Sequence, residues 1–188
     1  MRIFFAFEIP DKIKSQISAR LLSQKIKNIR FIDKDNFHLT FDFLGEIKKK
    51  DLPKIFNFVE ENFQDVFQFV ISNPKLEVVP INSPKIIWIS FSSEAKQKIE
   101  IKKILMDKFL QSLGYKIKTR PYKFHLTLSR IKKEIGFENI EEIKRIKFDF
   151  DSLKIEKLTC FESILSAKGA TYRSIKSFKL NKIGAING

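Results

Sequence analysis

The chain has 188 residues, with 36 Lys or Arg against 22 Asp or Glu, a formal net charge of +14, and 43% hydrophobic residues. Twenty Phe with only six Gly and six Pro exclude a disordered or collagen-like chain, and the length supports one domain over 1–188 better than two independent cores. The single cysteine, Cys160, excludes an internal disulfide framework and a thiolate metal cage, and it points to a reducing cytoplasm.

Residues 2–8 read as a strand of β-branched and aromatic side chains. Glu8 interrupts the apolar run too early for a signal-peptide core, and no segment approaches the roughly 18 apolar residues of a membrane span. No membrane partner is expected. Pro10 and Asp11 open a helix carrying Ile13, Ile17, Leu21 and Leu22 at helical spacing. Residues 29–32 are a short strand candidate, 33–36 are turn chemistry, and 37–44 alternate as a strand closed by Gly45. A helix over 51–63 carries Leu52, Ile55, Phe56 and Val59 on one face. Strands over 67–71, 76–81 and 86–91 follow, separated by Asn-Pro and Ser-Pro breakers.

Ser92 or Ser93 caps a long helix that carries Ile104, Leu105 and Phe109 and stops at Gly114. A strand over 123–131, a short helix over 140–146, and closing strands over 153–165 and 172–180 around Gly169 complete the chain. Helices and strands mix in order, so the fold class is α+β with largely antiparallel sheets.

The excess of Lys and Arg is spread over the whole length and suggests a polyanionic partner, nucleic acid ahead of acidic lipid. A Lys-rich composition with merely solvated lysines is the alternative. One short echo stands out. Both histidines of the chain lie in His-Leu-Thr, as 37–41 (FHLTF) and 124–128 (FHLTL). With five Thr and fifteen Leu available, the coincidence has a chance on the order of five in a million. Two copies of a β/α unit would produce it.

Period-2 geometry places His38, Thr40 and Asp42 on one face of a strand and Phe37, Leu39, Phe41 and Phe43 on the other. His125, Thr127 and Ser129 share a face in the same way. Side by side, the strands would join two imidazoles and two hydroxyls in one cleft. An imidazole titrating near ~6.5 can deprotonate one heteroatom or protonate another, which is what hydrolysis of a phosphodiester needs. Thr40 and Thr127 can donate to phosphate oxygens, and Arg130 is the nearest cation. On an ideal strand Arg130 points with Leu126 and Leu128, so a bulge or strand end must re-aim it. Two histidines without a third ligand do not make a metal site, and there is no GxSxG elbow, Walker sequence or GxGxxG. No metal and no cofactor is expected.

These residues resemble the 2H phosphoesterase superfamily, most closely its RNA 2′,3′-cyclic phosphodiesterase branch, also called 2′-5′ RNA ligases. The likeness runs from RIFFAFEIP at the start through NFHLTFDFLGEI, KIIWISF and RPYKFHLTLSR to FESILSAKGATYRSIKSFKL. The resemblance implies a bilobal α+β domain of two pseudo-twofold-related lobes, each a mainly antiparallel sheet with helices on its outer face, and a groove between them. It implies His38 as proton donor to the ribose 3′ oxygen, His125 as the base activating water, and Thr40, Thr127 and Arg130 as phosphate contacts. The substrate implied is RNA with a 2′,3′-cyclic phosphate end, tRNA fragments included, giving a 2′-phosphate, with reverse 2′-5′ ligation as a side activity of a monomer.

Many members carry Pro before the second histidine, where this chain has Phe124. Phe5 and Tyr172 are aromatic candidates for base contact, with core packing as the stronger reading. Competing readings are hydrolysis of a small cyclic phosphate such as ADP-ribose 1″,2″-cyclic phosphate, and an RNA-end binding module without turnover.

Overall fold

The alternation at the start of the chain forms β1 (Arg2–Glu8), whose Ile3, Phe5 and Phe7 enter the main core. A computed structural model describes residues 1–24, 29–80, 82–131, 135–166 and 169–182. After β1 come α1 (Asp11–Ser23), β2 (His38–Glu46), α2 (Leu52–Asn62), β3 (Phe69–Val79), β4 (Ile86–Ser92) and α3 (Lys96–Ser112). The chain continues with β5 (His125–Arg130), α4 (Phe137–Lys144), β6 (Ser152–Ile155), β7 (Lys157–Ser166) and β8 (Gly169–Lys179). The α+β class therefore holds, with eight strands and four α-helices among the described residues.

The strands form one sheet in the order β6-β3-β4-β5-β2-β1-β7-β8, and every neighbouring pair is antiparallel. At its middle β2 meets β5 through the pair Leu39 and Leu126. Read outward from that seam the order is β2-β1-β7-β8 on one side and β5-β4-β3-β6 on the other, so the two His-Leu-Thr strands hold equivalent places. Apolar side chains of all four helices, among them Ile17, Ile55, Met106 and Ile143, join the core-facing strand residues in one cluster. His38, Thr40, His125 and Thr127 alternate with the buried Leu39 and Leu126, and so lie on the opposite face.

Several boundaries differ from the periodic reading. Residues 67–71 and 76–81 read as two strands, yet β3 runs through the Asn-Pro pair, and position 81 lies outside the described residues. The register shifts between Ser72 and Lys75, and Asn73 takes a φ of 54°, a left-handed value that Asn tolerates better than most residues. The breaker is a bulge instead of a strand end. Conversely, 153–165 divides at Glu156, because β6 pairs with β3 in one half of the sheet and β7 with β1 in the other. Of 29–32, only Phe31 bridges, to Ser129.

The helix faces also need correction. Leu22 is 70% exposed, and Ile104 and Leu105 point outward, because α3 buries Ile99, Lys103, Met106, Asp107 and Leu110. Gly114, at φ 88°, ends that helix as expected: Gly114 N–H donates to the Gln111 carbonyl and Tyr115 N–H to that of Leu110. Among the described residues no helix is long and apolar enough to cross a membrane.

Candidate active site

The Leu39–Leu126 pair fixes the geometry of the site. In an antiparallel register it sets His38 opposite Thr127 and Thr40 opposite His125, all four on the face away from the core. The two imidazoles are held by the same local device. Nδ1 of His38 lies 2.7 Å from the Asn36 carbonyl oxygen, and Nδ1 of His125 lies 2.9 Å from that of Lys123. A carbonyl only accepts, so each Nδ1 donates, and in the neutral ring the lone pair sits on Nε2.

The strict period-2 reading fails just beyond each threonine, at the same step in both strands. Ala6 pairs with Thr40 but Phe5 with Asp42, leaving Phe41 as an extra residue. Trp88 pairs with Thr127 but Ile87 with Ser129, leaving Leu128 as an extra residue. Each bulge inverts the parity of the residues after it. Asp42 and Ser129, expected beside the histidines, are turned inward and buried. Phe43, expected in the core, is 52% exposed, and Arg130 emerges on the histidine face. The bulge that Arg130 required is therefore present, and Phe43 is its counterpart in the other strand.

Asp42, once inward, meets Lys103 Nζ at 3.1 Å, and Lys103 also pairs with Asp107 at 2.9 Å. Burial raises Asp42 well above the usual carboxylate range and the Asp107 charge adds to this, while Lys103 opposes it. Ser129 Oγ donates to the Arg30 carbonyl at 2.8 Å.

Beyond the seam β2 parts from β5, and a cleft of about 520 Å3 opens, with Thr40, Phe43, His125 and Arg130 in its wall. Arg2, Lys116, Lys118, Arg120 and Lys123 line it as well, so the cleft is strongly basic. Its acid is Asp42, whose charge Lys103 offsets.

The two histidines differ in their walls. His38 lies tilted against Phe4 at 4.9 Å and meets the edge of Tyr172 at 5.1 Å, with Phe161 at 6.4 Å. Burial lowers its pKa to about 4, against the pull of the Asn36 hydrogen bond, and the charges of His125 and Lys14 add to the lowering. His125 lies 4.8 Å from Trp88. Burial lowers its pKa as well, the Lys123 carbonyl opposes, and the charges of Lys123 and Arg130 lower it further.

Sequence reasoning missed Phe4, Lys14, Trp88 and Lys123 as neighbours of the imidazoles and Phe43 in the cleft wall, and it offered Tyr172 only as a base contact or core residue. For Phe43 the signal was the shared +5 offset from a histidine, which it has in common with Arg130. Phe5 is fully buried core, whereas Tyr172 touches His38. Phe124, the residue before the second histidine, packs inward against Tyr122, Phe69 and Phe7. Among the described residues no group of three or more His, Cys, Asp or Glu could hold a metal ion.

Comparison with known proteins bears on the family and the fold. Residues 91–172 match the model of the family described as LigT like Phosphoesterase. In solved structures, a Thermus thermophilus protein superposes with a TM-score of 0.79 at 19% identity, covering 97% of this chain and 99% of that one. E. coli LigT complexed with ATP superposes with a TM-score of 0.74 at 19% identity, covering 96% and 98%. These two likenesses concern the fold. The Archaeoglobus fulgidus protein named RNA 2′,3′-cyclic phosphodiesterase is 27% identical over 95% of this chain and its own full length. A protein of the same name from Methanocaldococcus jannaschii is 30% identical over 95% of this chain and 100% of its own length. Likeness of that extent, end to end, means that the chain belongs to the RNA 2′,3′-cyclic phosphodiesterase family of LigT-like phosphoesterases, within the 2H superfamily.

Proposed function

We propose that the protein hydrolyses the 2′,3′-cyclic phosphate at RNA ends to a 2′-phosphomonoester, using His38 and His125 as an acid–base pair. The observation that carries this reading is the seam itself: two His-Leu-Thr strands abut at Leu39 and Leu126, each with its imidazole tied through Nδ1 to the carbonyl two residues before it. Two imidazoles with Nε2 left for chemistry can serve both ends of an in-line displacement.

In this reading His125 takes a proton from water as the water oxygen attacks phosphorus. The P–O3′ bond breaks, and His38 gives its proton to the departing O3′, leaving a 3′-hydroxyl and a 2′-phosphate. Thr40 and Thr127 donate to the non-bridging oxygens, and Arg130 holds the charge that remains on them. His125, lowered by burial, is neutral at pH 7 and ready to act as the base. His38, lowered to about 4, must be raised to hold its proton, and the anionic phosphate of the substrate does this on binding. With the 5′-hydroxyl of a second RNA in place of water, the same displacement breaks P–O3′ and forms a 2′-5′ phosphodiester, a course that water at ~55 M disfavours by competition.

The basic cleft beside His125 favours a polynucleotide over a small cyclic phosphate, because it offers cations to more phosphates than the one that reacts. Fragments of tRNA are one such substrate, met by a monomer with one site per chain.

The experiment is incubation, with EDTA present, of a short RNA ending in a 2′,3′-cyclic phosphate, with the product identified by mass spectrometry and phosphatase sensitivity. A 2′-phosphate is expected. An untouched cyclic end, or a 3′-phosphate, would overturn the reading, and turnover confined to small cyclic phosphates would reassign the substrate.

A further inference from the structure

A second recess, of about 210 Å3, adjoins His125 on the side of β3 and β4, and its wall includes Glu77, Trp88, Ser90, Lys96 and Lys123. The register carries these side chains to the site: Ser90 pairs with His125, Trp88 with Thr127, and Glu77 with Trp88. Glu77 is unusual in a chain of charge +14. Among the described residues no cation lies within ion-pair distance of it, and neutral donors hold it instead. Trp88 Nε1–H donates to Oε2 at 2.7 Å and Ser90 Oγ–H to Oε1 at 3.0 Å, with the Lys75 carbonyl a longer alternative acceptor for Ser90 at 3.4 Å.

A carboxylate offers about four lone-pair sites over its two oxygens. Two are taken here, one on each oxygen, so each oxygen can accept once more. The matching ligand presents two adjacent parallel donors and no acceptor between them, on a flat ring that can lie against an aromatic wall. Among the RNA bases, guanine has that edge, through N1–H and its exocyclic amino group. Adenine, cytosine and uracil have a single donor group on that edge with an acceptor next to it, so the second carboxylate oxygen would face a lone pair that it repels. The volume suits one heterocycle better than a drug-sized ligand.

We propose that this recess is a nucleobase subsite selective for guanine on the nucleotide that carries the cyclic phosphate. The proposal rests on the phosphodiesterase reading of the histidine pair. Glu77 reads the base edge, Trp88 supplies the wall between base and imidazole, and the upstream chain leaves through the basic cleft, whose lining shares His125 and Lys123 with the recess.

The test compares kcat/KM on guanosine and uridine 2′,3′-cyclic monophosphates for the wild-type chain, Glu77→Ala and Glu77→Gln. In parallel, fluorescence of Trp88, the single tryptophan, is titrated with the corresponding 2′-monophosphates. The wild type should favour guanosine by about tenfold or more, and the preference should collapse toward unity in both variants. Should Glu77→Ala fail to fold, Glu77→Gln, which keeps the shape and one acceptor, decides alone. Equal use of both substrates by the wild type overturns the subsite. So does an equal loss on both substrates in the variants, which would make Glu77 a positioning residue for His125. If neither these substrates nor short RNAs ending in guanosine or uridine 2′,3′-cyclic phosphate are hydrolysed, the phosphodiesterase reading fails by itself. The guanosine-over-uridine ratio in the Trp88 titration then settles the subsite, supporting it if Glu77 variants abolish the ratio and sinking it if the wild type shows none.

Discussion

The β2 half and the β5 half of the site share a backbone and differ in nearly every side chain laid on it. Each offers a histidine tied through Nδ1 to the carbonyl two residues earlier, a threonine two residues later, and a bulge at the next step. Around His38 the wall is aromatic, made by Phe4, Phe161 and Tyr172, and the +5 position is Phe43. Around His125 the neighbours are Trp88, Lys123 and Arg130, and the +5 position is Arg130 itself. In the proposed reading the duplicated geometry supplies two proton-transfer groups and the divergent walls divide the labour, the aromatic side excluding water and the cationic side holding anionic charge.

If both halves are needed for chemistry, the largest effect should come from either imidazole. His38→Ala and His125→Ala are each expected to lower kcat by about 100-fold or more, roughly 2.7 kcal/mol in the barrier. Single-turnover kinetics on a cyclic-phosphate RNA measures this. Near-normal turnover in one variant would reduce the site to a single working histidine. In the wild type kcat/KM should peak below pH 6.5, because both imidazoles are lowered from 6.5 and the active form holds one proton between them.

A smaller effect should separate the two +5 positions. Arg130→Gln is expected to lower kcat/KM by about tenfold or more and to flatten the salt dependence by about one phosphate contact, the loss of a charged hydrogen bond to phosphate. Phe43→Ala, at the equivalent place, should cost a few-fold at most and leave the salt slope alone. Equal salt slopes for the two variants would refute the division into an aromatic and an anion-holding side.

The two halves also differ in how far the sequence reveals them. The repeated His-Leu-Thr and its apolar flanks identify β2, β5 and the four central side chains, because period-2 alternation is strict up to each threonine. Beyond it the strands are illegible, since a bulge leaves no single-residue mark and both bulged strands still look alternating. Alternation alone therefore puts Phe43 in the core, and Asp42 and Ser129 at the site. On α3, Lys103 and Asp107 are buried although their charges argue for solvent, and they pull Ile104 and Leu105 outward with them. What decides those positions is a partner, Asp42, 61 positions earlier in sequence than Lys103 and visible only once the bulge has turned it. Tyr172 likewise meets His38 through pairing with no local signature.

The smallest expected effect tests the same inequality in folding stability. Asp42 and Ser129 occupy matched positions after the two bulges, one titratable and one not. His38 has a native pKa of about 4 against 6.5 unfolded, so between those values the unfolded chain binds the extra proton and stability rises with pH. Asp42 has the opposite sign. Its native carboxyl keeps a proton above the unfolded value of 3.8, so its contribution is complete below 3.8 and is lost as pH rises through the higher native value. In the wild type the two slopes oppose each other between about pH 4 and 6.5. Asp42→Asn should remove one of them and leave a steeper rise of stability with pH, by up to about 1.4 kcal/mol per unit. Ser129→Ala strips the Arg30 carbonyl of its donor and should cost about 1 kcal/mol equally at every pH. Urea unfolding of the three proteins at several pH values between 4 and 7.5 measures both. Parallel curves for wild type and Asp42→Asn would show that the buried carboxyl titrates no differently from an unfolded one, and that the β2 bulge, unlike its walls, is electrostatically as silent as its partner in β5.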